Sequence, residues 1–181
     1  MPFHWIERIF LRLLVVWGLF GMVSGAALVW PAWGVAEPKP GEAFAAAMGV
    51  QFFIWGAIDA ALAGFGLRGI AKRELKPGPD ADERARREKA VRFVRLNTKL
   101  DVGYVLIGVG LLVWAAFAAT ANGRAVLLGH GAGVIVQGGF LLLFDYLFAR
   151  RLAAAVDSPQ DGPASNASQP STASRNAVGG A

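Results

Sequence analysis

Ile9–Trp30 reads IFLRLLVVWGLFGMVSGAALVW, 22 residues carrying a single charge, Arg12. About 20 such residues, rising 1.5 Å each, cross the ~30 Å hydrocarbon layer of a bilayer as a helix. Arg8 and Arg12 could open a signal peptide, with Gly34-Val35-Ala36 as its small-residue cleavage site. The unbroken run Leu13–Trp30 is longer than the roughly 7–15 residues of a signal-peptide core. It also ends in Trp30 and Trp33, which suit the aromatic belt of an interface. The stretch therefore reads as a retained membrane span.

Three more stretches read the same way: Phe44–Leu67, Leu100–Ala119 and Ala125–Phe148. The chain has 181 residues, of which 17% are charged; a soluble domain carries about 25%. The expected fold is all-α: a four-helix transmembrane bundle over 1–152, followed by a polar tail over 153–181. From Asp157 onward the sequence is Ser, Pro, Asn, Gln, Gly and Ala with little to bury, a composition that predicts disorder. Asn166-Ala167-Ser168 matches a glycosylation sequon but carries no weight in a cytoplasmic tail. The absence of cysteine removes disulfides, thiolate metal sites and iron–sulfur clusters.

Most of the cations lie between spans two and three, in the loop 68–99, from Arg68 to Lys99. The loops before spans two and four carry few charges, so the positive-inside rule makes the basic loop and both termini cytoplasmic. That distribution fits a bacterial inner membrane, with anionic lipid head groups rather than nucleic acid as the partner of the net +5 charge. Within the loop, Lys76-Pro77-Gly78-Pro79 predicts a turn and Asp80 an N-cap, with Glu83 at capping-box spacing. Glu83–Arg87 and Glu88–Arg92 are spaced to support a helix, and Val91, Val94 and Leu96 give it an apolar side. The helix either lies along the head groups and bends into span three, or is a plain extension of that span.

Polar residues sit inside the spans. Gln51, Trp55 and Asp59 follow at i, i+4 on one side of span two, and Asp59 lies nine residues before Arg68, ~13 Å along a helix. Asp145 lies about 7 Å from Arg150 by the same rise. Asn97, Asp101 and Tyr104 mark the cytoplasmic entry of span three, and His130 and Gln137 share a side of span four. A bare carboxylate in the membrane costs ~2.5–3.5 kcal/mol on insertion scales, so each needs compensation. Arg12 is expected to pair with Asp145 or Asp101 and so close a polar layer. Gly21/Gly25 and Gly129/Gly133 form GxxxG pairs, and Gly103/Gly110 a smooth stripe, all expected to let helices approach. Gln51–Asp59 can be laid over Gln137–Asp145, which would make the bundle two related hairpins about an axis along the membrane normal.

Leu96-Asn97-Thr98-Lys99-Leu100-Asp101-Val102-Gly103-Tyr104 and the run Gly131–Asp145, GAGVIVQGGFLLLFD, resemble an uncharacterised family of small four-helix bacterial membrane proteins. The resemblance lies mainly in spans three and four. It implies fold and location, no activity, and a common group of Asn97, Asp101, Tyr104, Gln137 and Asp145.

No nucleophile–base set, metal motif or cofactor motif is visible, so the chain reads as non-enzymatic and without a cofactor. The leading expectation is a bundle whose Asp, Gln and Arg layer fixes helix packing, or association with a second copy or another membrane protein. The alternative is a small proton- or cation-linked transporter using Asp59, Asp101 and Asp145. An enzyme acting on lipid or quinone would instead need a groove lined by Asp101, Tyr104 and Asp145.

Overall fold

The structure, a computed structural model, describes residues 3–75 and 80–157. Four long helices follow one another: α1 (Phe3–Val29, running into a 3-10 turn Trp30–Ala32), α2 (Pro40–Leu75), α3 (Asp80–Ala115) and α4 (Ala121–Asp157). All four are long and apolar enough to cross a membrane, and the chain is a multi-pass helical membrane protein. Large apolar side chains such as Val16, Phe20, Leu106 and Leu143 remain exposed along the helices and meet lipid.

Local chemistry sets the helix ends. Pro40 stands at the first position of α2, where its missing N–H is no loss, and Glu42 accepts the Lys39 backbone N–H at 2.9 Å. α3 stops at Ala115 because the chain tightens into i→i−3 bonds, Ala116 to Val113 and Phe117 to Trp114. The last four residues of the expected third span, Ala116–Ala119, are therefore outside the helix. Thr120 then caps α4, its Oγ1 accepting the Gly123 N–H at 3.0 Å. Asn122 donates to the Pro38 carbonyl at 3.0 Å and ties this loop to the one between α1 and α2.

The expected loop 68–99 is mostly helix. α2 runs on to Leu75, and α3 is continuous from Asp80 through span three, so the basic segment extends the span as one helix. Val91 and Val94 are buried among Phe3, Ile6, Phe148 and Leu152. Leu96 is exposed, contrary to expectation, because two residues from Val94 is about 200° around a helix. Glu88 pairs with Arg84 at 3.3 Å rather than with Arg92. The Lys76–Pro79 turn and the side chains of Asp80 and Glu83 lie outside the described residues. The same holds for the tail beyond Asp157; its expected first residues, 153–157, belong to α4.

α1 packs along α2, α3 along α4, and the two hairpins join chiefly through α2 against α4. Glycine makes these seams close. A Cβ on Gly56 would lie 2.5 Å from the Gly18 carbonyl oxygen, and one on Gly25 2.5 Å from that of Gly49. Gly133 abuts Gln51, as the GxxxG reading expects, while Gly103 and Gly110 face no other helix; the seam of α3 against α4 is at Gly108, over Gly131 and Ile135. Toward the basic end the core is aromatic. Trp17 stacks on Phe140 with ring centroids 3.6 Å apart, and Phe10 on Phe144 at 5.0 Å.

Candidate functional site

Four polar side chains are buried within the spans: Asp59 (5% exposed), Asp101 (4%), Asp145 (4%) and Gln137 (2%). The 3.6-residue period puts Gln51, Trp55 and Asp59 on one side of α2. That side faces α4 at Gln51 and Asp59, and α3 at Trp55. Gln51 Nε2 donates to His130 Nδ1 at 2.9 Å, and Gln137 Nε2 donates to Asp59 Oδ2 at 3.0 Å. Trp55 meets Tyr104 edge to face with centroids 4.6 Å apart, bringing α2 and α3 together at that one level. The side chain of Asn97 is directed at Asp145.

These contacts fix the register. The bonded pairs between α2 and α4 are 79 and 78 positions apart, whereas the Gln51–Asp59 repeat would equate positions 86 apart. The offset of seven to eight residues is about 11 Å in depth. An axis along the membrane normal keeps equivalent residues at one depth, so it does not relate the two hairpins. On the other seam, Gly138 lies against Tyr104 and Val105, which sets Asp101 level with about Leu141 and Asn97 level with Asp145.

The register arranges the three carboxyls as a ladder. Asp59 stands at the level of Gln137, Asp101 about one turn (~6 Å) nearer the basic end, and Asp145 about one turn beyond that. Asp101 is close enough for its charge to act on both of the others. Among the described residues none of the three is ion-paired. Asp101 Oδ2 and Gln137 Oε1 are buried with no hydrogen-bond partner. The three carboxyls are also too spread out to meet at one metal ion.

Arg12 does not close this layer. It is exposed and reaches neither Asp101 nor Asp145. The reason is its place on α1: Phe10 and Leu14 are the buried stripe, and Arg12 stands about 200° from Phe10. Two cations of the basic end pair across the α1–α2 seam instead. Arg73 reaches Glu7 at 3.1 Å, and Arg8 pairs with Glu74.

All three aspartates line one cavity of about 430 Å³, together with Glu7, Trp55, Tyr104, Asn97 and apolar side chains of all four helices. It exists because α2 and α3, among the described residues, are not in close packing with each other; each leans on α4 instead. Its rim includes Ile58 and Leu62 of α2 and Phe93 and Leu100 of α3, which are all exposed, so the mouth opens between those helices toward lipid. Sequence reasoning found the polar lining but not this rim. Leu62 and Leu100 carry no signal that separates them from any other lipid-facing residue.

A family model described as a family of unknown function (DUF6992) matches residues 13–146. The match takes in spans two and three, most of spans one and four and every aspartate of the cavity, beyond the two spans in which the sequence resemblance was concentrated. No curated protein and no solved structure matches the chain.

Proposed function

Since the chain belongs to this family of unknown function, its activity has to come from its own residues, and we propose that it is a non-enzymatic carrier of protons or another cation. The observation that carries the reading is the ladder of Asp59, Asp101 and Asp145 in one cavity with no cation against it among the described residues. Buried carboxylates without a counter-charge are unstable in a medium of low dielectric, so each either holds a proton or gives it up in exchange for a cation that enters the cavity. Carboxyls stepped by about one turn offer a cation successive partners toward the basic end. The cavity does carry the Asp101, Tyr104 and Asp145 lining that an enzyme acting on lipid or quinone would need, but carboxyls stepped along the membrane normal, rather than gathered about one reacting bond, favour the carrier.

Two bonds support a packing role for part of the layer. Gln51–His130 and Gln137–Asp59 hold α2 to α4 and belong to the class of interhelical hydrogen bonds worth ~0.6–2 kcal/mol. The layer thus divides. The α2–α4 pairs fix register, while Asp101 and Asp145 are left for the cavity. The charge asymmetry supports an inner-membrane location in a bacterium with the basic end and both termini cytoplasmic, its cations beside anionic head groups.

The test is cation–proton exchange in proteoliposomes loaded with a pH-sensitive dye. Wild-type protein is expected to move protons when Na⁺, K⁺ or an organic ammonium is added outside, and Asp101→Asn to abolish the movement while Gln51→Leu retains it. Dye signals equal to those of empty liposomes under every gradient would leave packing as the whole role of the layer.

A further inference from the structure

The cavity is far larger than an inorganic ion needs. Its volume of about 430 Å³ falls in the range of small-molecule pockets, ~300–1,000 Å³. Its lining combines two chemistries. Asp101 has a buried oxygen with no partner, and Asp59, Asp145 and the rings of Trp55 and Tyr104 line the same cavity. Carboxylates and aromatic faces together are what recognise an ammonium ion in a desolvated site. Around this polar floor the walls and mouth are Ile58, Leu62, Phe93 and Leu100, exposed on the lipid side. An apolar rim favours a molecule already dissolved in the bilayer over a hydrophilic cation.

We infer that the occupant is an amphiphilic organic ammonium ion that enters sideways from the membrane between α2 and α3. Its head lies against Asp101 and its alkyl tail along Leu62 and Leu100. This rests on the carrier reading and names the class of cation carried. The edge-to-face pair of Trp55 and Tyr104 stands at the outer end of the lining, and the exposed rim between α2 and α3 lies along its flank.

The probe is radiolabelled dodecyltrimethylammonium, a permanent cation, equilibrated with the full chain in phosphatidylcholine nanodiscs. Empty nanodiscs give the partition background. Binding is expected to saturate near one probe per chain, and Asp101→Asn to weaken it at least tenfold. Dodecanol, of equal tail and no charge, is expected not to compete. Leu62→Trp alters only a lipid-facing side chain, so it keeps the fold, and it is expected to slow association about fivefold by filling the mouth. Uptake equal to that of empty nanodiscs, or equal affinity in Asp101→Asn, overturns the inference. So does loss of the saturable component on exchanging the lipid for phosphatidylethanolamine, which would assign the site to a lipid head group. If the probe fails to bind while the proteoliposomes still exchange protons for Na⁺ or K⁺, the inference falls and the carrier reading stands. If exchange is absent as well, both fall.

Discussion

Gln137 on α4 donates to Asp59 on α2 at 3.0 Å, although the pattern of the sequence would match Gln137 with Gln51. This bond sets the height of one hairpin against the other. It also leaves Gln137 Oε1 buried without a partner, so the amide is used on one side only. Gln137→Leu removes the one hydrogen bond that Asp59 accepts among the described residues and strands a buried carboxyl. The expected loss is about 1–2 kcal/mol of stability, above the ~0.6 kcal/mol typical of a membrane hydrogen bond, because the unsatisfied group remains. Gln51→Leu should lose only about 0.6 kcal/mol. Reversible unfolding of both variants in mixed micelles checks the ranking, and equal losses would contradict it.

The register permits a direct chemical test in a chain without cysteine. A Cβ on Gly138 would lie 3.4 Å from Tyr104 Cβ, close to the ~3.5–4.5 Å Cβ separation of disulfides. The double variant Tyr104→Cys/Gly138→Cys should oxidise to an intramolecular disulfide in membranes, seen as a mobility shift reversed by reductant. Gln51→Cys/Gln137→Cys, the pair that the repeat would place at one level, should remain reduced.

Glycines that look alike in sequence should respond oppositely to alanine. Gly56→Ala drives a methyl to 2.5 Å from the Gly18 carbonyl oxygen, and the α1–α2 seam has to open. The expected loss is about 1–3 kcal/mol, as for overpacking generally. At Gly110 nothing lies within 4 Å, so Gly110→Ala should be neutral or stabilise by up to about 1 kcal/mol through helix propensity. Thermal inactivation in detergent distinguishes them.

Arg12→Gln should leave stability unchanged within about 0.5 kcal/mol, because Arg12 is exposed and holds no carboxylate among the described residues. Arg73→Gln breaks the partly buried pair with Glu7 and should cost up to about 1 kcal/mol, less at high salt. A substantial loss from Arg12→Gln, equal to that of Arg73→Gln, would restore the polar-layer pairing that the geometry removes.

Thr120→Ala removes the side-chain oxygen that holds the Gly123 N–H, and the first turn of α4 should fray at a cost of about 1 kcal/mol. Faster amide exchange at Gly123, with little change deep in α4, is the expected signature.

The residues that could be read one at a time were legible. Oily runs, buried aspartates at Asp59, Asp101 and Asp145, and close glycines at Gly21, Gly25 and Gly133 follow from what a side chain costs or permits in lipid. Pairings were not legible. Arg12 looked like a partner for Asp145 because both lie near one end of their helices, but depth says nothing of rotation about the helix axis. Gly103 and Gly110 looked like a seam for the same reason.

Sequence by itself determined that four helices cross a bilayer and that their few carboxyls turn inward, because the solvation cost of charge and backbone in hydrocarbon is fixed by composition. Tertiary structure alone decided that α2 leans on α4 instead of α3. That choice depends on the fit of glycine-lined surfaces such as Gly129 and Gly133 against α2, a contact between residues some 80 positions apart. It also opens the gap that turns three buried aspartates into the floor of one cavity.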